Sequence, residues 1–385
     1  MKLVMVSNFF NHHQEPLAEA LRRRLGEDYC FVATQPVPED RRALGYRDGA
    51  VPDYVLRAYE SEAAQRQAME RIHRADVVLA GSAPEAMLRR RIRDGKLVLR
   101  YAERPMKQGV EPMKFLPRLL RWHWRNPVGK PVYLLAASGF APADFQKMGL
   151  FRRKCCRFGY FPETRYYDNL DGFFDQKEPK TILWVGRFVE WKHPEAALEV
   201  AARLEAAGCG CRLEYIGTGP LEETLRQEAV RRGLTDCVTF CGAMAPEQVR
   251  RRMERAGILL VTSGRREGWG VVVNEAMNSG CAVVVNRVVG AAPYLLRPGE
   301  NGLVYRQIEA LIPKVRFLLE HPDEQRRLGR EAYRTITEVW NPETAAQRLI
   351  EWTERLLAGE PWPDLYESGP CSRAEIIKED WYDED

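Results

Sequence analysis

Three short stretches of the sequence concentrate glycine and charge, and each directly follows an apolar run. The first follows Ile182–Val185 and reads Gly186-Arg187-Phe188-Val189-Glu190-Trp191-Lys192-His193. A glycine at the end of an extended run lets the chain turn sharply. Arg187 and Lys192 are then two cations on one loop, a fork for two oxygens and a point charge. That pair fits a diphosphate, and two solvated surface cations are the plainer reading of the same residues. The second stretch is Ile216-Gly217-Thr218-Gly219-Pro220-Leu221-Glu222. Its glycines permit close backbone approach, and the helix start behind them attracts an anion or a ribose. An ordinary tight turn fits equally well. A full dinucleotide fingerprint is absent, because Glu222 stands at the third glycine position.

The third stretch, Glu267 to Gly280, is the most informative. Glu267, on a glycine loop, and Glu275, inside the helix that follows, are eight positions apart. Gly268 and Gly270 leave backbone N–H groups bare at a helix start, which suits phosphate. A carboxylate pair in a cleft can hold sugar hydroxyls. Glu275 read alone is a solvated helix residue. Val271, Val272, Val273, Ala276 and Met277 around it argue for burial, and a buried carboxylate needs a partner.

These loops need a scaffold, and the sequence supplies one by alternation. Strand-like Leu3–Ser7, Cys30–Ala33, Val77–Ala80, Leu97–Tyr101 and Val132–Ala136 are interleaved with helical segments Glu15–Leu25, Glu62–Arg74 and Pro84–Arg93. A second series runs from Thr181 to Asn286, with strands at Thr181–Val185, Arg212–Ile216, Val238–Phe240, Ile258–Val261 and Cys281–Asn286. Such alternation implies parallel sheets covered by helices. The expected organisation is two facing, Rossmann-like, doubly wound domains with a cleft between them. Residues 1–165 form the first, 166–180 a linker rich in glycine and proline, and 181–340 the second. Residues 341–385 are read as a helix and acidic tail returning to the first domain, the part from Gly359 onward being a solvated end. Ligands in such sheets bind beyond the carboxyl ends of the strands, where the three stretches fall.

Composition narrows the class. A length of 385 residues exceeds one core at roughly 150 residues per domain. A net charge of +4 gives no ground for nucleic-acid binding. Nine scattered cysteines, several in apolar runs, read as reduced thiols, and Cys209-Gly-Cys211 lacks partners at zinc spacing, so no metal is expected. No run approaches the ~18 apolar residues of a membrane span, and the opening Met1–Ser7 reads as a strand with no signal-peptide layout, so a cytoplasmic location is expected.

In order and content, the three stretches resemble the C-terminal domain of the GT-B-fold glycosyltransferases, and specifically the retaining family 4 (glycosyl transferases group 1). That family shows Gly-Arg…Lys, then Gly-x-Gly-Pro, then Glu-x₇-Glu with an aromatic-glycine inside. Here the pattern continues as Ser279-Gly280-Cys281-Ala282-Val283-Val284 and Gly299-Glu300-Asn301-Gly302-Leu303-Val304. The resemblance covers Thr181 to Val304 closely and the N-terminal half only in general plan. It implies that Gly186, Arg187 and Lys192 meet the donor's diphosphate, and that Glu267 contacts the transferred sugar. It implies that Gly268, Trp269 and Gly270 bring backbone N–H groups to sugar and phosphate, that Glu275 holds the ribose, and that Gly217 and Gly219 sit against the nucleotide. It also implies a nucleotide-diphosphate sugar as donor substrate, no cofactor or metal, and front-face attack by an acceptor hydroxyl with retention.

Two departures stand out. His193 occupies the position after the lysine where the family has glycine. The loop after the first strand, often glycine-rich in the family, is Asn8-Phe9-Phe10-Asn11-His12-His13-Gln14. Asn11, His12, His13 and Glu103, with Arg104 beside it, are the acceptor-side candidates, and a structural role fits them too. Positive charge gathers at Arg89–Arg93 and across Lys114–Arg125, where arginines alternate with Trp, Leu and Phe. The second segment suits a lipid headgroup layer and a lipid-linked or glycan acceptor at the inner membrane face, or an amphipathic helix packed on the sheet. A GT-B epimerase acting on a nucleotide sugar is the alternative activity.

Overall fold

The computed structural model describes residues 1–39, 51–109 and 112–383. It divides into two compact units, Met1–Glu163 with Trp340–Ile377, and Thr164–Val339 with Lys378–Asp385.

The first unit holds a parallel sheet of β1 (Leu3–Ser7), β2 (Tyr29–Ala33), β3 (Val55–Arg57), β4 (Val77–Ala80), β5 (Leu97–Ala102), β6 (Val132–Ala136) and β7 (Cys155–Arg157). The order is β3-β2-β1-β4-β5-β6-β7, which reverses direction between β1 and β4. Every residue of β1, β2, β4 and β6 is buried, as expected for strands covered on both faces. One charged side chain stabilises this core from inside. Arg91, fully buried, donates to the carbonyls of Ile72, Ala75, Asp76 and Leu97 at 2.6–3.0 Å. These include the carbonyls left unpaired where helix Glu62–Arg74 ends, which a guanidinium with five donors can satisfy at once. Burial pushes its pKa down to about 10. Arg91 is therefore not part of a surface basic group, as its neighbours in sequence suggest.

Helix Pro342–Leu357 and the segment after it belong to this unit. Trp352 is buried and donates to Pro363 O at 3.0 Å, and Tyr133 Oη donates to Pro361 O at 3.0 Å. Cys371 is buried, and Arg157 N donates to Ser372 O at 2.8 Å. The expectation of a solvated end from Gly359 is corrected by these contacts: the aromatic residues between the acids give it something to bury. The return to the first domain also stops at Ile377, and Lys378 onward belongs to the second unit.

The second unit holds β8 (Glu178–Val185), β9 (Arg212–Ile216), β10 (Val238–Phe240), β11 (Ala256–Val261), β12 (Ala282–Asn286) and β13 (Leu303–Tyr305), all parallel. The order is β10-β9-β8-β11-β12-β13, reversing between β8 and β11. Residues 166–180 are not a free linker. Tyr167 stacks on Phe173 with ring centroids 3.9 Å apart, helix Leu170–Asp175 buries Phe174, and β8 begins at Glu178. Gly280 makes room for this: a Cβ there would lie 2.8 Å from Phe174 Cζ. Lys177 ties the junction by donating to the carbonyls of Met253, Ala256 and Ser279.

Candidate donor site of the second unit

The reversal between β8 and β11 opens a crevice at the carboxyl ends of those two strands. The loop after β8 carries Gly186 to His193, with a short turn at Glu190–Lys192 and then helix Pro194–Ala206. The loop after β11 carries Thr262 to Gly270, and Gly270 at φ +91° starts helix Val271–Asn278. The two loops are tied together. Trp184 Nε1 donates to Thr262 Oγ1 at 2.8 Å, and Thr262 Oγ1 donates to Lys192 O at 2.6 Å. Gly264 N donates to Trp191 O at 2.7 Å. The buried Trp184 ring therefore sets the spacing between the loops.

That spacing brings Lys192 and Glu267 into direct contact: Lys192 Nζ donates to Glu267 Oε2, and both side chains are mostly buried. A cation and a carboxylate 75 residues apart thus form one polar centre at the strand reversal. Arg187 lies on the same loop, exposed, and its side chain has no partner among the described residues. The backbone N–H groups of Gly268 and Gly270 donate to no acceptor among the described residues. A cation, an ion pair and bare amides at a helix start make an anion site with a carboxylate beside it.

Glu275 sits one turn into helix Val271–Asn278, half-buried. Its carboxylate makes no hydrogen bond among the described residues. Burial pushes its pKa up, opposed by the charges of Arg250 and Arg165. Arg250 does not reach the carboxylate. It donates to Glu275 O at 3.0 Å and to Asn278 Oδ1 at 2.6 Å. A desolvated carboxylate without a donor is a ready acceptor for a hydroxyl.

The glycines of the second stretch have a different explanation. A Cβ on Gly217 would lie 1.9 Å from Gly186 O, and one on Gly219 would lie 2.6 Å from Phe188 O. Phe188 N donates to Thr218 O and Leu221 N to Phe188 O. Both glycines let the loop after β9 press against the diphosphate-type loop after β8. Trp269 is also structural in its side chain: the ring is buried and Nε1 donates to Asn274 Oδ1 at 2.8 Å. His193 adopts φ +48°, ψ +52°, the left-handed conformation that glycine takes without strain. Its ring Nδ1 is 2.9 Å from Glu195 Oε1, which raises its pKa against the opposing effect of burial.

In the first unit, Asn11, His12 and His13 lie on the loop after β1, beside that sheet's own reversal. Asn11 Oδ1 accepts from His13 N at 2.9 Å, and Asn11 Nδ2 donates to Gln14 Oε1 at 3.1 Å. His12 and His13 rings are 3.9 Å apart, and burial lowers the His12 pKa. Glu103, after β5, accepts from Lys107 Nζ at 2.8 Å and Tyr160 Oη at 3.2 Å. Arg104 is buried against Asp144 at 3.2 Å, and Asp144 also accepts from Met106 N, so this arginine ties its own loop to the helix that carries Asp144.

Sequence reasoning missed Thr262, whose importance depends on Trp184 and on the Lys192 carbonyl. Its only trace in the sequence is its place at the end of the most apolar strand. It also missed Arg250 and Arg165 near Glu275. Among the described residues no group of three His, Cys, Asp or Glu side chains could hold a metal, and no helix is long and apolar enough to cross a membrane.

Known proteins resemble this chain in fold and in the sequence of its second unit. Residues 171–335 match the family model of glycosyl transferases group 1. An alpha-D-kanosaminyltransferase from Streptomyces kanamyceticus is 27% identical over 226 residues, 56% of this chain and 58% of that one. A GDP-mannose-dependent alpha-(1-6)-phosphatidylinositol monomannoside mannosyltransferase from Mycobacterium tuberculosis is 27% identical over 183 residues, 46% and 47% of the two chains. The chain spans about half the length of the curated relatives it matches. Among solved structures, Anabaena HepE in complex with UDP and glucose superposes with a TM-score of 0.66 at 16% identity, covering 92% of this chain and all 100% of that one. Sucrose-phosphate synthase from Thermosynechococcus elongatus gives 0.63 at 17% identity, covering 94% and 100%. Two Rossmann-like parallel sheets of seven and six strands, with these neighbours, give the chain the GT-B fold, and its second unit is similar to the glycosyl transferases group 1.

Proposed function

We propose that the chain is a retaining, metal-independent glycosyltransferase of the family 4 kind. It moves a hexose-type sugar from a nucleotide-diphosphate sugar to a glycan or lipid-linked acceptor in cell-surface polysaccharide or glycolipid synthesis. The observation that carries this is the Lys192–Glu267 contact at the β8/β11 reversal, flanked by unpaired Arg187 and the bare amides of Gly268 and Gly270. The complexes of HepE with UDP and with UDP-glucose support a nucleoside diphosphate as the donor's handle.

The roles follow from charge. Breaking the sugar–phosphate bond puts negative charge on the diphosphate and positive charge on the sugar. Arg187, Lys192 and the two amides stabilise the first, and Glu267 sits where it stabilises the second. Glu275 accepts from the ribose hydroxyls. The acceptor hydroxyl attacks the anomeric carbon from the face the diphosphate leaves, forming the new C–O bond as the old one breaks. Its proton passes to the departing phosphate oxygen. The charge on the leaving group is met by protein cations and amides, so no metal is required.

Helix Pro112–Arg125 supports contact with a membrane face. Phe115, Leu119 and Trp122 pack inward on the core around Phe145, while Met113, Leu116, Leu120 and Trp124 form an exposed apolar stripe. The Arg89 guanidinium lies 4.1 Å from the Trp124 ring, so the two basic segments of the sequence meet on one face. Nine free cysteines support a reducing, cytoplasmic setting.

The test is a panel of nucleotide sugars. A donor at ~100 times its Kd adds roughly 2.7 kcal/mol of stability and raises the melting temperature. With acceptor and chelator present, NMR of the product then reads the anomeric configuration. Stabilisation by no sugar nucleotide, or an inverted product, sinks the proposal.

A further inference from the structure

Along the carboxyl edge of the second unit's sheet stand Arg265, Arg287 and Arg306, which have no role in the donor reading above. Arg265 lies in the loop after β11, Arg287 directly follows β12, and Arg306 directly follows β13. Each is met by the segment 378–383. Glu379 Oε1 is 3.2 Å from Arg265 Nη2. Trp381 Nε1 donates to Arg287 O at 2.9 Å, and Arg287 Nη1 donates to Tyr382 O at 2.8 Å. Asp383 Oδ1 lies 3.6 Å from Arg287 Nη1 and accepts from Arg306 Nη1 at 3.2 Å. The segment therefore crosses three neighbouring strand ends in the order in which the sheet presents them.

This contact pattern selects between two roles for an acidic segment at an anion-binding edge. An internal mimic of the diphosphate would neutralise Arg187 and Lys192. Among the described residues it does neither: Lys192 pairs with Glu267, and no described carboxylate of the segment meets Arg187. The carboxylates instead take the arginine two positions before Glu267 and the two arginines beyond it. The loop that carries Glu267 is thus tied on one side to Trp191 and Lys192 and on the other to residue 379.

We propose that residues 378–383 form a strap that positions the 264–270 loop, with Glu379 acting through Arg265 to keep Glu267 in register with Lys192. This rests on the donor-site reading above. Glu379 is a positioning residue and touches no substrate. Because the ion pairs are half-exposed, each holds the loop closed by only a few-fold, and the three together by about tenfold.

Arg265 and Arg266 supply a readout that needs no substrate: limited trypsin cleavage of the native protein within this loop, followed by mass spectrometry. Three proteins are compared, the full chain, a chain ending at Ile377, and the full chain with Glu379→Gln. Cleavage after Arg265 or Arg266 is expected about tenfold faster in the shortened chain and about two- to fivefold faster in Glu379→Gln, with Glu379→Asp restoring part of the protection. Raising salt should speed cleavage of the full chain towards the shortened one. Where transfer is measurable, the donor KM rises several-fold with kcat within about twofold, because bound donor re-forms the loop. If all three proteins are cut at the same rate, the strap is overturned. Faster cleavage without any nucleotide-sugar binding keeps the strap and overturns the donor-site reading instead. The Glu379→Gln arm holds even if the shortened chain fails to fold.

Discussion

The two units share one architectural device and use it for opposite electrostatics. In each, a parallel sheet reverses order next to its first strand, and the loop after that strand faces the crevice. In the second unit that loop delivers an arginine, a lysine and, from the neighbouring strand, a glutamate, locked by a buried tryptophan–threonine bond. In the first unit the matching loop delivers asparagine, two histidines and glutamine; neutral hydrogen bonds hold Asn11 and Gln14, and burial lowers the His12 pKa. Topology fixes where a ligand can sit, and residue type decides what it is. Fixed charge suits a departing diphosphate, whereas neutral donors and acceptors suit a hydroxyl-bearing acceptor.

The largest effect tests that contrast directly. Lys192→Met removes the ammonium while keeping the aliphatic stem, so the fold should hold. Loss of one such stabilising donor typically costs on the order of 10²–10³ in rate. Asn11→Ala in the first unit should instead raise the acceptor KM by about tenfold or less, the scale of a neutral hydrogen bond. Steady-state kinetics with both substrates separates the two. Equal losses of kcat in both variants would erase the distinction between a charged and a neutral half.

Gly217→Ala comes next and is read in stability, since the loops rather than the substrate need this glycine. A methyl group 1.9 Å from Gly186 O has to displace backbone, and φ is +135° at this position. Overpacking costs typically 1–3 kcal/mol, and the unfavourable φ adds to it. A melting temperature lower by several degrees is expected, with the donor affinity reduced because the loop after β8 shifts. An unchanged melting temperature would mean that the two loops are not packed as described.

Glu275→Gln is smaller again. The carboxylate accepts more strongly than an amide, and hydrogen bonds to charged groups are worth about 1.5–3 kcal/mol. Roughly a tenfold rise in donor Kd is expected at neutral pH. The pH profile gives a second handle. Because the folded-state pKa is raised above the unfolded one, ionised Glu275 costs stability above that pKa, and the cost is relieved as pH falls through it. Donor affinity should fall with acidification at a higher pH than an ordinary glutamate would give, and the Gln variant should lack this inflection.

How much of this was legible in the sequence depends on whether a residue's role is local. The strands Leu3–Ser7, Arg212–Ile216 and Val238–Phe240 and the helices Glu15–Leu25 and Glu62–Arg74 were read at the bounds they have, because apolar runs and 3.6-residue periodicity are local signals. The strands Val55–Arg57 and Cys155–Arg157 were missed: each is three residues long at an edge of the sheet, too short to show a period. The charged loop residues were found by type and by their place after strands. What they touch was not legible, since Lys192 meets Glu267 across 75 residues and Trp184 meets Thr262 across 78. Gly217 and Gly219 were recognised as permitting close approach, but the partner they approach is another loop. Arg91 was read as one of a basic group and the end from Gly359 as solvated, because charge predicts solvent only until a buried carbonyl claims it.

The smallest effect concerns His193, the one departure inside the donor motif. Its left-handed backbone costs roughly 1–2 kcal/mol for a residue with a Cβ, and its ring gains a half-exposed contact with Glu195, worth at most about 1 kcal/mol. His193→Gly removes both, and it adds backbone entropy to the unfolded chain. The sign therefore turns on protonation. The folded-state pKa is raised, so the imidazolium–Glu195 contribution is fully present below the ordinary histidine value near 6.5 and is lost as pH rises through the raised value. At basic pH the glycine variant should be as stable as the parent or up to about 1 kcal/mol more so. Below about pH 6 that advantage should shrink or reverse, by an amount set by the Glu195 pair. Paired melting curves across this range measure the crossover. A difference that does not vary with pH would mean that Glu195 does not hold the ring, leaving the left-handed turn as the whole of the histidine's effect on the loop that presents Lys192.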